Sequence, residues 1–91
     1  MIRRWFARSF RRLPSRAQYE SIRIIERLAK SENPALMGEP LGYDLKGIWK
    51  IRFGPRQAYR IAYRVLRNII TIEYIEVGHR NTIYDKLRRK L

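Results

Sequence analysis

Three cations stand where strand alternation lines them up. From Ile48 to Phe53, Trp49, Ile51 and Phe53 fall on one side of an extended chain, and Lys50 and Arg52 fall on the other. From Ala58 to Leu66, Tyr59, Ile61, Tyr63 and Val65 share one side, while Arg60 and Arg64 share the opposite side with Ala62. Gly54-Pro55-Arg56-Gln57 between the two segments reads as a turn, which returns Arg60 alongside Lys50 and Arg52. Like charges held this close repel unless an anion compensates them. No acidic residue lies between Leu45 and Ile72 to do so. The row therefore reads as a phosphate-binding surface. The competing reading is the solvated face of a sheet and nothing more.

A second constellation is Gly78-His79-Arg80 with Tyr84. Gly78 is expected to break a strand, which places His79 and Arg80 at its end. His79 is the only histidine, and imidazole is the group that ordinarily titrates near neutrality, so it is either structural or an acid–base group. Tyr84, in a polar and basic context, could stack on a nucleobase. Trp5, Phe6, Phe10, Trp49, Phe53, Tyr59 and Tyr63 read as packing instead. With one histidine and no cysteine, a metal site lacks ligands, and neither metal nor cofactor is expected. No phosphate-cradling Gly-rich loop, zinc-protease helix motif or serine nucleophile elbow is present.

The elements that must position these residues follow from periodicity. Ala7–Leu13 predicts a short helix that stops before Pro14. Ser15 to Lys30 predicts a longer one. Ser15 and Gln18 have the spacing of a capping box, and Ile22, Ile25, Leu28 and Ala29 form the expected core stripe. On another face of the same helix Glu20 can pair with Arg16 and Arg23. Ser31 to Gly47, acidic and carrying Pro and Gly, reads as a loop. Strands are predicted at Ile48–Phe53, Ala58–Leu66 and Ile69–Val77, with Arg67-Asn68 as a hairpin turn. The last strand is apolar on both faces, as suits a strand covered on both sides. Ile2–Phe6 is either a fourth strand or a helix start, and Asn81–Leu91 a short basic tail with some helix. The expected fold class is α+β, a helical hairpin on one face of a small antiparallel sheet of three or four strands, with the cations on the other.

Length and charge bound the rest. The 91 residues suit one domain spanning 1–91 with a modest core. Apolar residues make up 45% and charged residues 32%, which is a globular balance. Twenty-one Lys and Arg against eight Asp and Glu give +13, a surface that calls for a polyanion or an acidic partner. Residues 1–30 carry +7, residues 31–45 carry −3 and residues 46–91 carry +9. No stretch approaches the about 18 apolar residues that span a bilayer, and no apolar run follows the basic N-terminus as in a secretory signal. A cytoplasmic protein without membrane partners is the expectation.

Read in order, these residues resemble the RelE/ParE superfamily of type II toxin–antitoxin toxins. The resemblance runs through Leu45 and Gly47, Trp49-Lys50-Ile51-Arg52-Phe53-Gly54, Tyr59-Arg60-Ile61-Ala62-Tyr63, an apolar strand, then Gly78-His79-Arg80 and Tyr84, preceded by two helices separated at Leu13-Pro14. It implies a RelE-like mRNA interferase, a metal-independent endoribonuclease that cleaves mRNA on the ribosome and so inhibits translation. Its partners would be the ribosome, mRNA and an adjacently encoded, RelB-like antitoxin that silences it. The toxin alone would be a monomer, and with the antitoxin a hetero-oligomer. The implied catalytic set is Lys50, Arg52, Arg60, His79, Arg80 and Tyr84, with Lys46, Arg56 and Arg64 as further RNA contacts.

The chemistry suits those residue types. Attack of a 2′-hydroxyl on the neighbouring phosphate needs a base, cations around the phosphorane and an acid for the 5′-oxygen. A lysine crowded by arginines is pushed toward its neutral form, so Lys50 is assigned as base. Arg60 and Arg80 would clamp the phosphate, Arg52 would assist and Tyr84 would stack on or orient the nucleobase. His79 or a nearby cation would be the acid. ParE-like inhibition of DNA gyrase, or a non-enzymatic basic RNA- or ribosome-binding domain, are the alternatives.

Overall fold

The computed structural model describes residues 1–66 and 71–90. Helices α1 (Arg4–Arg11) and α2 (Ser15–Lys30) come first, then the strands β1 (Glu39–Pro40), β2 (Trp49–Phe53), β3 (Tyr59–Leu66) and β4 (Thr71–His79), then helix α3 (Ile83–Lys90). The strands form one sheet in the order β1-β2-β3-β4, every pair antiparallel. This is the expected α+β class. The predicted turn at Arg67-Asn68 and the predicted strand start at Ile69 lie outside the described residues.

Alternation sorts the side chains as the sequence implies. Phe53, Ile61, Tyr63, Ile72, Tyr74 and Val77 face α1 and α2, meeting Phe6, Ala17, Ile24 and Leu28 in one core. The other face is not left wholly to the cations. Ile83 and Leu87 of α3, four residues apart, close on Leu45, Ile48, Ala62 and Ile75 in a second core. β4 is thus buried on both faces, which its sequence requires. A register shift between Ala62 and Tyr63 leaves Ala62 opposite Glu76 but Tyr63 opposite Tyr74. This bulge accommodates Ile75 as the extra residue.

Three expectations are corrected. Of the two readings left open for Ile2–Phe6, the helix start is the one found, since α1 begins at Arg4, and the fourth strand is Glu39–Pro40, inside the stretch read as a loop. Proline lacks an N–H, so this pairing sits at the sheet edge, where it is tolerated. Ile2 instead makes a single parallel bridge to Tyr74, and the Met1 and Arg3 backbones bond to Tyr74, covering the otherwise bare edge of β4. The capping box does not form, because Ser15 is already helical and caps nothing. Gln18 reaches back instead, its Nε2 donating to the carbonyls of Phe10 at 3.1 Å and Arg11 at 3.4 Å. That satisfies the end of α1 and ties the two helices together. The buried stripe of α2 is Ala17, Ser21, Ile24 and Leu28, while Ile22 remains 48% exposed and Ala29 is also exposed. Small Ala17 and Ser21 let the helix lie close to its neighbours, and Ser21 satisfies its hydroxyl on Ala17 O at 2.8 Å. On the outer face Arg16 pairs with Glu20 at 3.2 Å, and Arg23 bonds Tyr19 instead.

Two buried carboxylates along β4 are held by ion pairs. Glu73, its side chain 3% exposed, accepts from Arg64 Nη2 at 2.6 Å and pairs with Arg3 Nε at 2.8 Å. Buried Glu76 accepts from Lys90 Nζ at 2.9 Å, which pins the last turn of α3. Burial raises the Glu73 pKa, but the hydrogen bonds and charges of Arg64 and Arg3 outweigh it and hold the carboxyl below its ordinary value. A carboxyl depressed in the folded state stabilises fully above its unfolded pKa, and that contribution is lost as pH falls through the folded value. Glu73→Gln should therefore cost roughly 1–3 kcal/mol at pH 7, less than a fully buried pair because both arginines reach solvent. Its acid-side loss of Tm should also be shallower than the parent's. Thermal melts from pH 2 to 7 check this, and equal melting points at pH 7 would contradict it.

Candidate nucleic-acid interface

The turn between β2 and β3 sets the register of the cations. Gly54 has φ +82°, and a Cβ there would stand 2.7 Å from the Tyr59 ring. Pro55–Gln57 follows as a single 3-10 turn, with Arg56 and Gln57 both in left-handed conformations. The result places Arg52 directly opposite Arg60, and Lys50 opposite Ala62. Arg60 is in turn opposite Gly78 of β4.

Arg60 is 9% exposed. Its Nη1 donates to the carbonyls of Gln57 and Tyr59, so the turn's own backbone holds the guanidinium. Its Nε is buried without a partner among the described residues. Lys50 Nζ donates to Tyr84 Oη at 3.3 Å and lies 5.7 Å from the centre of that ring. Tyr84 is on the first turn of α3, so docking of α3 on the second core places it beside the row. Arg80 sits just beyond β4. Its N–H donates to Ala58 O at 2.7 Å and its Nη1 to Arg56 O at 3.3 Å, which leaves the side chain exposed at the rim.

The row is not free of acid, contrary to the sequence reading. Glu39 of β1 stands opposite Lys50 and binds Arg52 in a two-pronged pair, both contacts 2.6 Å. The Arg52 hydrogen bond, aided by the charges of Arg52, Lys50 and Arg60, lowers the Glu39 pKa, and Glu39 raises that of Arg52. Close approach of β1 makes this possible: a Cβ on Gly38 would lie 2.7 Å from Lys50 O. Nearby, Tyr63 Oη donates to Pro34 O at 2.8 Å, and burial pushes that phenol up to about 12.

Other expected residues are scattered. The β4 ladder runs through Gly78 to His79, so Gly78 does not end the strand. Because Gly78 shares the face of Arg60, His79 falls on the other. It pairs with Tyr59, its ring edge-on to the Tyr59 ring at 5.9 Å, and its Nδ1 accepts the Asn81 N–H at 3.1 Å. Arg64 is engaged by Glu73. Lys46 is exposed beyond the Tyr43–Leu45 turn, and Arg56 is exposed in the hairpin turn. The structure therefore brings together Lys50, Arg52, Arg60 and Tyr84, with Arg80 and Arg56 at the rim.

Two members of the patch escape sequence reasoning. Lys86 of α3 holds its Nζ 3.6 Å from where a Cβ on Gly78 would stand, on the Arg60 side of the sheet. The Ile83/Leu87 spacing was the available signal, since it fixes the buried stripe and sets Lys86 beside it. For Glu39 the only hint was a net −3 stretch flanked by cationic ones.

Residues 2–84 match the family described as ParE toxin of type II toxin-antitoxin system, parDE. No curated protein matches the chain. Among solved structures, the toxin–antitoxin complex RelBE2 from Mycobacterium tuberculosis contains a chain 27% identical, with a TM-score of 0.73 over 88% of this chain and 94% of that one. A RelB–RelE antitoxin–toxin complex from Methanococcus jannaschii contains one at 24% identity and TM-score 0.70, covering 94% and 96%. The isolated E. coli RelE toxin aligns at 21% identity and TM-score 0.63, covering 99% and 95%. The last two likenesses are likenesses of fold.

The Glu39–Arg52 pair occupies one cation of the row in the free protein. Glu39→Gln should release it and tighten binding of a single-stranded oligonucleotide to the row. The expected gain is roughly two- to tenfold at low salt, shrinking as salt rises. Fluorescence anisotropy across a salt series reads it out, and unchanged or weaker binding at every salt would contradict it.

Proposed function

We propose that this chain, which belongs to the ParE toxin family of type II toxin–antitoxin systems within the RelE/ParE superfamily, acts as a ribosome-dependent, metal-independent mRNA endonuclease. The single observation that carries the reading is the buried Arg60, facing Arg52 across the ladder with its Nε unpartnered among the described residues. A guanidinium pair of this kind wants an anion between or above its members, and a phosphodiester supplies one.

In this reading the scissile phosphate lies over Arg60, with Arg80 closing from the rim and Arg52 joining as Glu39 yields it. Lys50 takes the 2′-hydroxyl proton. The 2′-oxygen bonds to phosphorus and the P–O5′ bond breaks, leaving a 2′,3′-cyclic phosphate and a 5′-hydroxyl. Tyr84, hydrogen-bonded to Lys50, orients that amine and offers its ring to a base. His79 lies on the sheet face that α1 and α2 cover, so we assign the proton for the leaving oxygen to a cation of the row, Lys86 beside Gly78. A RelB-like antitoxin is the proposed partner, by analogy with the complexes the structural neighbours form. A second reading, inhibition of DNA gyrase, is favoured by the ParE description of the matched family.

Primer extension on a defined mRNA, with purified protein and with or without programmed ribosomes, tests the proposal. Cuts should occur within the A-site codon only when ribosomes are present. Lys50→Ala should lower the single-turnover rate about 10²–10⁴-fold and Arg80→Ala about 10²–10³-fold. Wild-type rates in both variants would overturn the assignment of roles. Complete loss in Glu39→Gln with RNA binding retained would move the base from Lys50 to Glu39. No cuts from folded protein, with loss of supercoiling by gyrase in its presence, would establish the second reading.

A further inference from the structure

One large aromatic ring stands clear of the fold. Tyr43 is 100% exposed, and among the described residues its side chain enters no hydrogen bond and no ring pair. Its backbone has φ +54°, the left-handed region that a bulky side chain rarely adopts. The chain therefore holds Tyr43 in a costly conformation and draws no burial from it. Strain without packing points to a purpose outside the fold.

The loop beneath the ring is firmly placed. Leu45 is buried in the second core and Leu41 packs against it. The Leu45 N–H donates to Gly42 O at 3.0 Å and the Lys46 N–H to Tyr43 O at 3.2 Å. Asp44 Oδ2 accepts from Arg88 Nε of α3 at 2.9 Å. Arg88 follows Tyr84 by four residues, so the two lie on one side of α3, about one 5.4 Å turn apart. α3 thus joins the loop to the row, with Arg88 on Asp44 and Tyr84 on Lys50. The second core lies on the sheet face that presents Lys50, Arg52 and Arg60. Along β2 the row steps from Arg52 to Lys50 by about 7 Å, and the next step in that direction reaches Ile48, where the loop ends. Exposed Lys46 continues the charge beside the ring. Cations alternating with free rings are the footprint of an unpaired strand. A protein partner would need a contiguous apolar centre. The loop offers none, since Leu41 and Leu45 turn inward and Tyr43 is flanked by Gly42 and Asp44.

We infer that Tyr43 is a second base platform for the single strand held on the row, taking a base beyond the one that Tyr84 takes. The inference rests on the endonuclease reading and deepens it. Tyr84 acts beside the reacting bond, whereas Tyr43 binds the strand at a distance from it and touches no reacting atom. Stacking accepts any base, because each has a π-face. Tyr43 therefore selects for an unpaired strand that runs on past the cut, and not for a sequence. A duplex, whose bases are already stacked, cannot use it.

The test titrates the full chain by anisotropy with an unstructured, single-stranded 2′-O-methyl RNA of about 12 nucleotides. Its blocked 2′-oxygens cannot attack phosphorus, so cleavage does not enter. Tyr43→Ala should weaken binding about 5- to 100-fold. The slope of log K against log salt should stay as it is, because no phosphate contact is lost. Tyr43→Phe should restore the affinity, since the ring and not the hydroxyl is used. An abasic site at one position should cost the parent a similar factor and cost Tyr43→Ala nothing. Tyr43→Gly, at ease at φ +54°, should melt at or above the parent's Tm while binding as weakly as Tyr43→Ala. Equal affinity of parent and Tyr43→Ala would overturn the inference, as would a parent that does not bind the strand. So would a Phe variant as weak as Ala, an equal loss on a blunt duplex, or a lower Tm in Tyr43→Gly, which would make the ring structural. The two readings fail separately. A parent that cuts on the ribosome, with Tyr43→Ala binding normally, loses only the platform. A parent that cuts nothing but shows the stacking pattern loses only the cleavage.

Discussion

Arg52 and Arg60 stand directly opposite each other on neighbouring antiparallel strands, and much of the local architecture answers that one repulsion. Glu39 takes the charge of Arg52 in a two-pronged pair, and two carbonyls of the hairpin turn hold the guanidinium of Arg60. Each remedy has a backbone requirement. Glu39 reaches Arg52 because Gly38 lets β1 approach the Lys50 carbonyl. The carbonyls point at Arg60 because Gly54, Arg56 and Gln57 adopt positive φ. A hairpin closed by a two-residue turn would have another register and another opposite pair. Arg60 still keeps one buried donor unmatched among the described residues.

The same face of the sheet solves the opposite problem at its other end. Glu73 of β4 is buried there opposite Arg64, Glu76 is buried nearer the middle opposite Ala62, and each has found cations: Arg3 and Arg64 for the first, Lys90 for the second. One sheet face is therefore divided by register. The carboxylates that the chain buries are neutralised from the N-terminus and from the last turn of α3. Among the described residues, the exposed Glu39 alone pairs with a cation at the far end. Through Lys90 and Glu76, the neutral end also fixes where α3 lies, and α3 carries Tyr84 and Lys86 to the cationic end.

How much of this is legible in the sequence depends on the reach of the interaction involved. Period-2 alternation in Trp49–Phe53 and Tyr59–Leu66 assigns the faces correctly, because a pleated strand leaves each side chain only two choices. The bounds of α2 are equally readable, being set by Pro14 and by one long periodic run. Which stripe of α2 is buried is not, since Ile22 and Ile25 are as apolar as Ile24 and the decision belongs to the surface it meets. Gln18 looks like half of a capping box until the preceding helix end is in place to accept its amide. His79 does lie at a strand end, as read, but which face it takes is not legible, because Gly78 is a ladder residue opposite Arg60 and not the strand's terminator. The Glu39–Arg52 pair joins residues thirteen apart through a two-residue strand too short to announce itself. Each miss is a tertiary contact overriding a local rule.

A chain with thirteen excess positive charges must keep them where self-repulsion is weakest, which is at the surface and apart. The fold does this with the sheet as a divider. Cations of α1 and α2 turn outward on one side, those of β2 and β3 on the other, and two apolar layers separate the sets. Without a deep cleft, such a molecule presents two shallow cationic surfaces, each open to solvent. Shallow surfaces draw little from hydrophobic burial, so their affinity rests on charge, and charge alone carries little sequence information. A surface of that kind cannot choose its target by reading bases. Selectivity must then come from geometry, from the spacing and register that the sheet gives its cations.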